Sequence, residues 1–205
     1  MKTVKLLSTS LLLAAGVTLA LPATAPAATW SVDQAHTEVN FTVKHFFTPV
    51  NGSFGKWDID LQYDAENPEK SKVTATIDIA SVNTGNEKRD NHLRSGDWFE
   101  VETHPTMTFK SSKVEKVGDN KLIAHGTLTI KGHKQKVDLT ITHLGTKQIP
   151  EQMQEMLGGT KEVASFEAST SINRNDFEVG VGNWAATMVV GDKIDITILL
   201  EAHRR

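Results

Sequence analysis

The sequence predicts an all-β domain in which an antiparallel sheet of about eight strands curls onto itself, with one or two short helices beside it. Three observations lead there. Apolar and polar residues alternate with period two through most of the chain, as they do in strands with one buried face. The alternating runs are short, almost regularly spaced and punctuated by turn residues, a pattern shared by antiparallel barrels and sandwiches. Two short helices cannot cover the apolar face of so many strands, so the sheet must cover itself, with that face turned inward.

Taken in order, the chain opens on Met1-Lys2-Thr3-Val4-Lys5, a short positive stretch. An uncharged run follows from Leu6 to Leu21, and then the small-residue segment Pro22-Ala23-Thr24-Ala25-Pro26-Ala27-Ala28. This is the layout of a cleavable secretory signal, residues 1–27. Cutting after Ala25 would put Pro26 first in the mature chain, so cleavage is expected after Ala27 or Ala28. The run is shorter than the ~20 residues needed to span a bilayer, and no cysteine follows it to carry a lipid. Cysteine is absent from the whole chain, so an exported domain of this kind has to stand on its core rather than on disulfides. Residues 28–205 are a comfortable length for one domain.

The strands are read from their alternation. In Thr37–Phe46, Val39, Phe41 and Val43 are apolar against Glu38, Asn40, Thr42 and Lys44. In Phe54–Tyr63 the series Trp57, Ile59, Leu61 and Tyr63 alternates with Lys56, Asp58, Asp60 and Gln62. Val73, Ala75, Ile77 and Ile79 continue the pattern, and further strands follow at Thr106–Val117, Lys121–Lys131, Lys136–His143, Val163–Asn173 and Lys193–Glu201. In the last of these, Ile194, Ile196, Ile198 and Leu200 share one face. Asn51-Gly52 and Gly118-Asp119-Asn120 read as hairpins, and Lys131-Gly132-His133 and Gly191-Asp192 as tight turns. Asn86–Gly96 is charged, lacks β-branched residues and ends in glycine, which predicts a short helix. Ile149–Gly159 carries Pro150 at a helix start, places Ile149, Met153, Met156 and Leu157 on one face, and stops at Gly158-Gly159. A barrel of eight strands either fills with side chains or encloses one slender ligand; the pattern does not choose between these.

Charge and motifs exclude more than they assign. The chain has 22 basic and 25 acidic side chains, and losing Lys2 and Lys5 with the signal makes it more acidic, which argues against a nucleic-acid partner. No cysteine nucleophile, G-x-S-x-G elbow, H-E-x-x-H or P-loop is present, and Gly180-Val181-Gly182 has no helix pattern behind it and reads as a loop. An enzyme is therefore not expected, and neither is a cofactor. The eight histidines form no H-x-H or H-x₃-H pair, so they read as scattered surface or turn residues rather than metal ligands. His125 and His143 could be neighbours on adjacent strands, but parity turns His125 to solvent. Within Arg89–Ser95 the charged side chains are expected to tie the helix backbone to nearby loops, with Leu93, Trp98 and Phe99 as anchors plugging one end of the barrel; a polar rim at a ligand mouth is the other reading. Ile149–Leu157 similarly reads as a seal over the core or as a lid.

At this point the residues resemble a known family. Asp33-Gln34-Ala35-His36-Thr37-Glu38-Val39-Asn40-Phe41 with Val43-Lys44-His45 is similar to the D-x-x-H-[ST]-x-V-x-F-x-V-x-H opening of the YceI-like proteins. Gly52-Ser53-Phe54-Gly55, then Ile77–Thr84 with Arg89–Phe99, resemble its next signatures. His104-Pro105 with Phe109, Gly126–Gly132, Arg174–Phe177 and Val190-Gly191-Asp192 continue in order, so the resemblance covers about Trp30 to Ala202. It implies an extended lipocalin-like barrel in the bacterial periplasm that binds a polyisoprenoid or similar long-chain amphiphile without catalysis. Relatives usually carry a D-P-W-G-like loop where this chain has Pro150–Gly159, a departure expected to fall at the mouth of the barrel.

The expected lining follows from the inward series: Phe41, Val43, Phe54, Leu61, Val73, Ile77, Phe109, Leu128, Leu139, Ile141, Phe166, Ile196 and Ile198. No metal ligand and no stable membrane insertion are expected. The rival readings are a packed barrel acting as an adaptor through its loops, a hydrolase or lyase, and a small outer-membrane barrel, whose apolar face would point outward. Exposed apolar edges or a long shared ligand would favour a homodimer.

Overall fold

The computed structural model describes residues 28–186 and 188–205; the expected signal, residues 1–27, lies outside them. The elements in chain order are β1 (Ala28–Val32), β2 (Glu38–His45), β3 (Thr48–Phe54), β4 (Trp57–Tyr63), β5 (Lys72–Asp78), β6 (Val82–Asn83), α1 (Glu87–Arg94), β7 (Thr106–Lys116), β8 (Lys121–Ile130), β9 (His133–Gln148), α2 (Glu151–Gln154), β10 (Glu162–Asn173) and β11 (Val190–Arg204). Eight strands run β1-β4-β5-β7-β8-β9-β10-β11, and β1 pairs back onto β11 to close an antiparallel barrel. One edge of β11 serves two neighbours in succession. Val190–Leu199 pairs with β2, and Ala202–His203 pairs with β1. β2 then carries β3 and β6 as an extension of the sheet, which is what makes the barrel extended.

Period-two patterning puts the apolar side inside. In β8, Leu122, Ala124, Leu128 and Ile130 are buried, while the intervening Lys121, Ile123, His125, Thr127 and Thr129 face out. The outward side of β9 carries Lys134, Lys136 and Asp138, the reverse of the lipid-facing surface of an outer-membrane barrel. No helix among the described residues is long and apolar enough to cross a membrane.

Two of the expected turns lie inside strands. Asn51 and Gly52 belong to β3, opposite Thr42 and Phe41, and the hairpin turns at Phe46–Phe47 instead. The glycine answers a packing need: a Cβ there would stand 2.3 Å from Phe41 Cζ, so only a residue without a side chain lets the Phe41 ring lie across the neighbouring strand. Gly191 and Asp192 likewise belong to β11, where the β2–β11 ladder changes register between Val190 and Ile194. The other two turns form as expected. Val117 donates its backbone N–H to Lys121 O at 2.9 Å across Gly118–Asn120, and Lys131 and Gly132 take φ of 50° and 81°, the left-handed pair of a type I′ hairpin.

The expected strand from Phe54 divides, since Phe54 ends β3 and β4 begins at Trp57. The helix expected at Asn86–Gly96 forms as α1, with Asn86 Oδ1 accepting from Arg89 N at 3.0 Å, the usual N-cap bond. The second helix is a single turn, α2, and Pro150 takes its N-cap position rather than the first helical one.

Candidate ligand-binding cavity

The barrel is not filled by its side chains. A chamber of ≈ 150 Å³ lies among β4, β5, β7–β11, and a larger one of ≈ 500 Å³ lies towards α1 and the β2–β3 hairpin. Val39, Met107, Ile130 and Ile196 line both, so they form a waist between two adjoining spaces.

Every one of the thirteen residues expected to line the interior borders one of these chambers. Leu61, Val73, Ile77, Phe109, Leu128, Leu139, Ile141, Phe166 and Ile198 line the smaller one. Phe41, Val43 and Phe54 line the larger, and Ile196 stands at the waist. Parity also marks Val39, Tyr63, Leu122, Val137 and Leu200, which join the same walls. At the end where β1 meets β4, aromatic rings close the small chamber. Tyr63 meets Phe166 edge-on at 4.9 Å, and Trp30 donates its indole N–H to Tyr63 O at 3.1 Å. Burial pushes the Tyr63 hydroxyl above the ordinary phenolic range.

The larger chamber has polar elements that period-two reasoning could not place. Arg174 is 3% exposed and sits under the loop that leads into β11. Its Nε donates to Gly191 O at 2.9 Å, Nη1 to Val179 O at 2.8 Å and Gly180 O at 3.2 Å, and Nη2 to Trp184 O at 2.7 Å and Val190 O at 3.0 Å. Its guanidinium carbon lies 5.3 Å from the Trp98 ring centroid, within cation–π range. Desolvation lowers the Arg174 pKa from its ordinary value. With its donors committed to backbone carbonyls, Arg174 shapes the wall of the chamber as a clamp. His92 packs edge to face against both Trp98 and Trp184, the latter at 5.0 Å. Among the described residues the buried Trp98 Nε1 has no hydrogen-bond partner, a costly state for an indole N–H.

The charged side chains of α1 play both parts weighed for them. Asp90 is buried and accepts from Thr84 N at 2.9 Å and Thr84 Oγ1 at 2.6 Å. Arg94 donates to Ala80 O and Val82 O, both at 2.8 Å. These bonds tie the helix to β6 and the residues on either side of it, while Asn86, Lys88, Arg89 and His92 border the larger chamber.

Two expectations are corrected. No residue of Ile149–Gly159 borders either chamber, so this segment is neither lid nor mouth. It leaves the barrel at the β9–β10 connection with Met153, Met156 and Leu157 exposed, which also moves the departure from the usual D-P-W-G-like loop away from the cavity. His125 is on the outward side, as parity indicates, opposite Asp138, its Nδ1 2.7 Å from Asp138 Oδ1. The histidines are also not all scattered: β1–β11 pairing brings His203 into the same cluster as His36 and two carboxylates.

Fold and cavity together define a hollow, lipocalin-like antiparallel barrel with a two-chambered apolar interior. The chain belongs to the YceI-like family, whose domain it matches over residues 30–202. A UPF0312 protein of Ectopseudomonas mendocina is 34% identical over 158 residues, which cover 76% of this chain and 78% of that protein. The crystal structure of BcnA from Burkholderia cenocepacia is similar at 29% identity with a TM-score of 0.73, covering 83% of this chain and 99% of that one. A polyisoprenoid-binding domain from Saccharophagus degradans, implicated in plant cell wall breakdown, shares the fold at 16% identity with a TM-score of 0.59 over 87% of this chain and 99% of that domain.

Proposed function

We propose that this protein is a periplasmic carrier for a polyisoprenoid or similar long-chain amphiphilic lipid held inside the barrel. The observation that carries the reading is the paired chamber: two adjoining spaces with apolar walls, meeting at Val39, Met107, Ile130 and Ile196. Such a shape suits a chain better than a compact molecule. Burial of apolar surface at ~25 cal/mol per Å² supplies the driving force without any dedicated residue. The polar features gather at the larger chamber, so the lipid head belongs there, near the unpartnered Trp98 N–H, with the tail running past Ile196 towards Tyr63. The signal-like residues 1–27 support export, and the polyisoprenoid-binding domain of the same fold supports the ligand class. No catalytic step is assigned: Arg174 is committed to backbone carbonyls and Asp90 to Thr84.

The test is to purify the protein from the periplasm without detergent, extract it with organic solvent and analyse the extract by mass spectrometry. One isoprenoid or comparable long-chain lipid per protein is expected. Stoichiometric absence of lipid, with no uptake of an added long-chain prenol, overturns the reading.

A further inference from the structure

On the outer face of the barrel, Asp33 and His36 meet Glu201 and His203 from the other end of the chain, where β11 passes the β1–β2 turn. His36 Nδ1 lies 2.8 Å from Asp33 Oδ2 and 3.8 Å from Glu201 Oε1. His203 Nε2 lies 2.9 Å from the same Glu201 Oε1 and 3.6 Å from the same Asp33 Oδ2. Each carboxylate therefore offers one oxygen to both imidazoles, and each imidazole offers one nitrogen to both carboxylates. We propose that these four residues form a binding site for a divalent transition-metal ion of the zinc type.

Donor spacing is the first argument. Four ligands at ~2.0 Å from a tetrahedral zinc ion stand ~3.3 Å apart; donor atoms of Asp33, His36 and Glu201 all lie within 4.8 Å of one another, and His203 Nε2, beside the two carboxylates, has to close in on that trio to give the fourth bond. His125 provides the contrast. It too lies between two carboxylates, but through opposite ring nitrogens, Nδ1 towards Asp138 and Nε2 towards Glu115. No single ion could take both bonds from one ring edge there, and that cluster can only be a chain of ion pairs.

Preorganisation is the second. Asp33 N donates to Glu201 O at 2.8 Å, and Glu201 N donates to Thr37 Oγ1 at 3.2 Å, so backbone bonds hold the turn against the strand. Ala35 N donates to Asp33 Oδ1 at 2.8 Å, which occupies one carboxylate oxygen and leaves Oδ2 facing the histidines. Glu201 and His203 flank the fully buried Ala202 and so share the outward side of β11. The His36 side chain is 67% exposed, which leaves an ion a route in and a ring free to adjust.

Ligand chemistry is the third. Two imidazoles with two carboxylates favour zinc, copper or nickel over magnesium or calcium, which prefer oxygen alone. The position also suggests what an ion would do. Among the described residues the ladder that closes the barrel, β1 on β11, has only the pairs Ser31–His203 and Val32–Ala202, and a metal here would clip that seam.

The test uses the protein purified without an affinity tag and dialysed against chelator. Zinc ion is titrated by calorimetry, and cobalt(II) serves as a visible-absorption probe of coordination. One zinc ion per chain is expected, with the d–d bands of tetrahedral cobalt, a raised Tm and no comparable response to calcium. His36→Gln and His203→Gln should each weaken zinc binding by about tenfold or more, at least the loss seen for residues that merely support a ligand. His133→Gln should leave it unchanged. Because His36 is exposed on a turn, H36Q keeps the fold, as its circular dichroism in chelator will show, so its result stands even if H203Q misfolds. Absence of zinc binding, or binding that H36Q leaves intact, overturns the proposal and leaves the cluster as an ion-pair network.

Discussion

Replacing Ile196 by tryptophan would close the waist between the two chambers. Ile196 is half-buried, pairs with Phe41 on one side and Thr170 on the other, and borders both spaces. A larger ring there enters open volume, so the cost in stability should stay within the ~1–3 kcal/mol typical of added bulk. The cost in binding is set by how much tail is shut out. An isoprene unit carries five carbons, and burial is worth ~0.8 kcal/mol per CH₂. Excluding one unit therefore removes about 3–4 kcal/mol, or two to three factors of ten in Kd. The assay is competition by prenols of increasing length against a fluorescent lipid probe, with thermal unfolding as the control for folding. The natural protein should gain affinity with each unit until the small chamber is full. The Ile196→Trp protein should gain normally for short prenols and then stop. A variant that unfolds normally and keeps the full length dependence would refute the idea that the tail passes the waist.

Trp98→Phe should weaken binding of an oxygen-headed lipid by roughly tenfold, the worth of one hydrogen bond in a dry site, and leave binding of a headless hydrocarbon of equal length unchanged in the same competition assay. Arg174→Met removes the donors for carbonyls of Val179, Gly180, Trp184, Val190 and Gly191; with each buried unsatisfied carbonyl costing ~1–3 kcal/mol, a loss of at least about 3 kcal/mol is expected in urea unfolding. The His125 pKa is raised from 6.5, first by its hydrogen bond to Asp138. The stabilisation from that pair is therefore complete below pH 6.5 and lost as pH rises through the raised value. Asp138→Asn should accordingly destabilise more at pH 6 than at pH 9, and an NMR titration should show the His125 pKa falling in the variant.

The barrel was legible because its walls are made of strands with one dry face. In β8 and in Ile194–Ala202 of β11 every second residue is apolar or glycine, and a period of two leaves little freedom about which side faces in. That is why the thirteen positions read from parity all border the interior spaces. β3 was illegible for a physical reason. Its Asn51-Gly52 reads as a turn, yet the glycine is there to admit the Phe41 ring. β1 is only five residues long and β6 only two, too brief for a period to show. The rim of the larger chamber escaped because it depends on one buried arginine bonding to backbone carbonyls, and carbonyls leave no trace in side-chain patterns. Ile149–Gly159 misled in the other direction: an amphipathic turn implied something to cover, and the structure leaves its methionines exposed. His36 and His203 met through the seam that closes the barrel, a contact between chain ends that spacing rules do not see.

The lipid-carrier reading is tested most directly by a crystal structure of the protein recovered from the cells that make it, with no lipid or detergent added. Continuous tubular density from the Trp98 end, between Ile196 and Met107, to Tyr63 is the predicted result. A waist closed by rearranged side chains, with the chambers holding only ordered water or nothing, would contradict it.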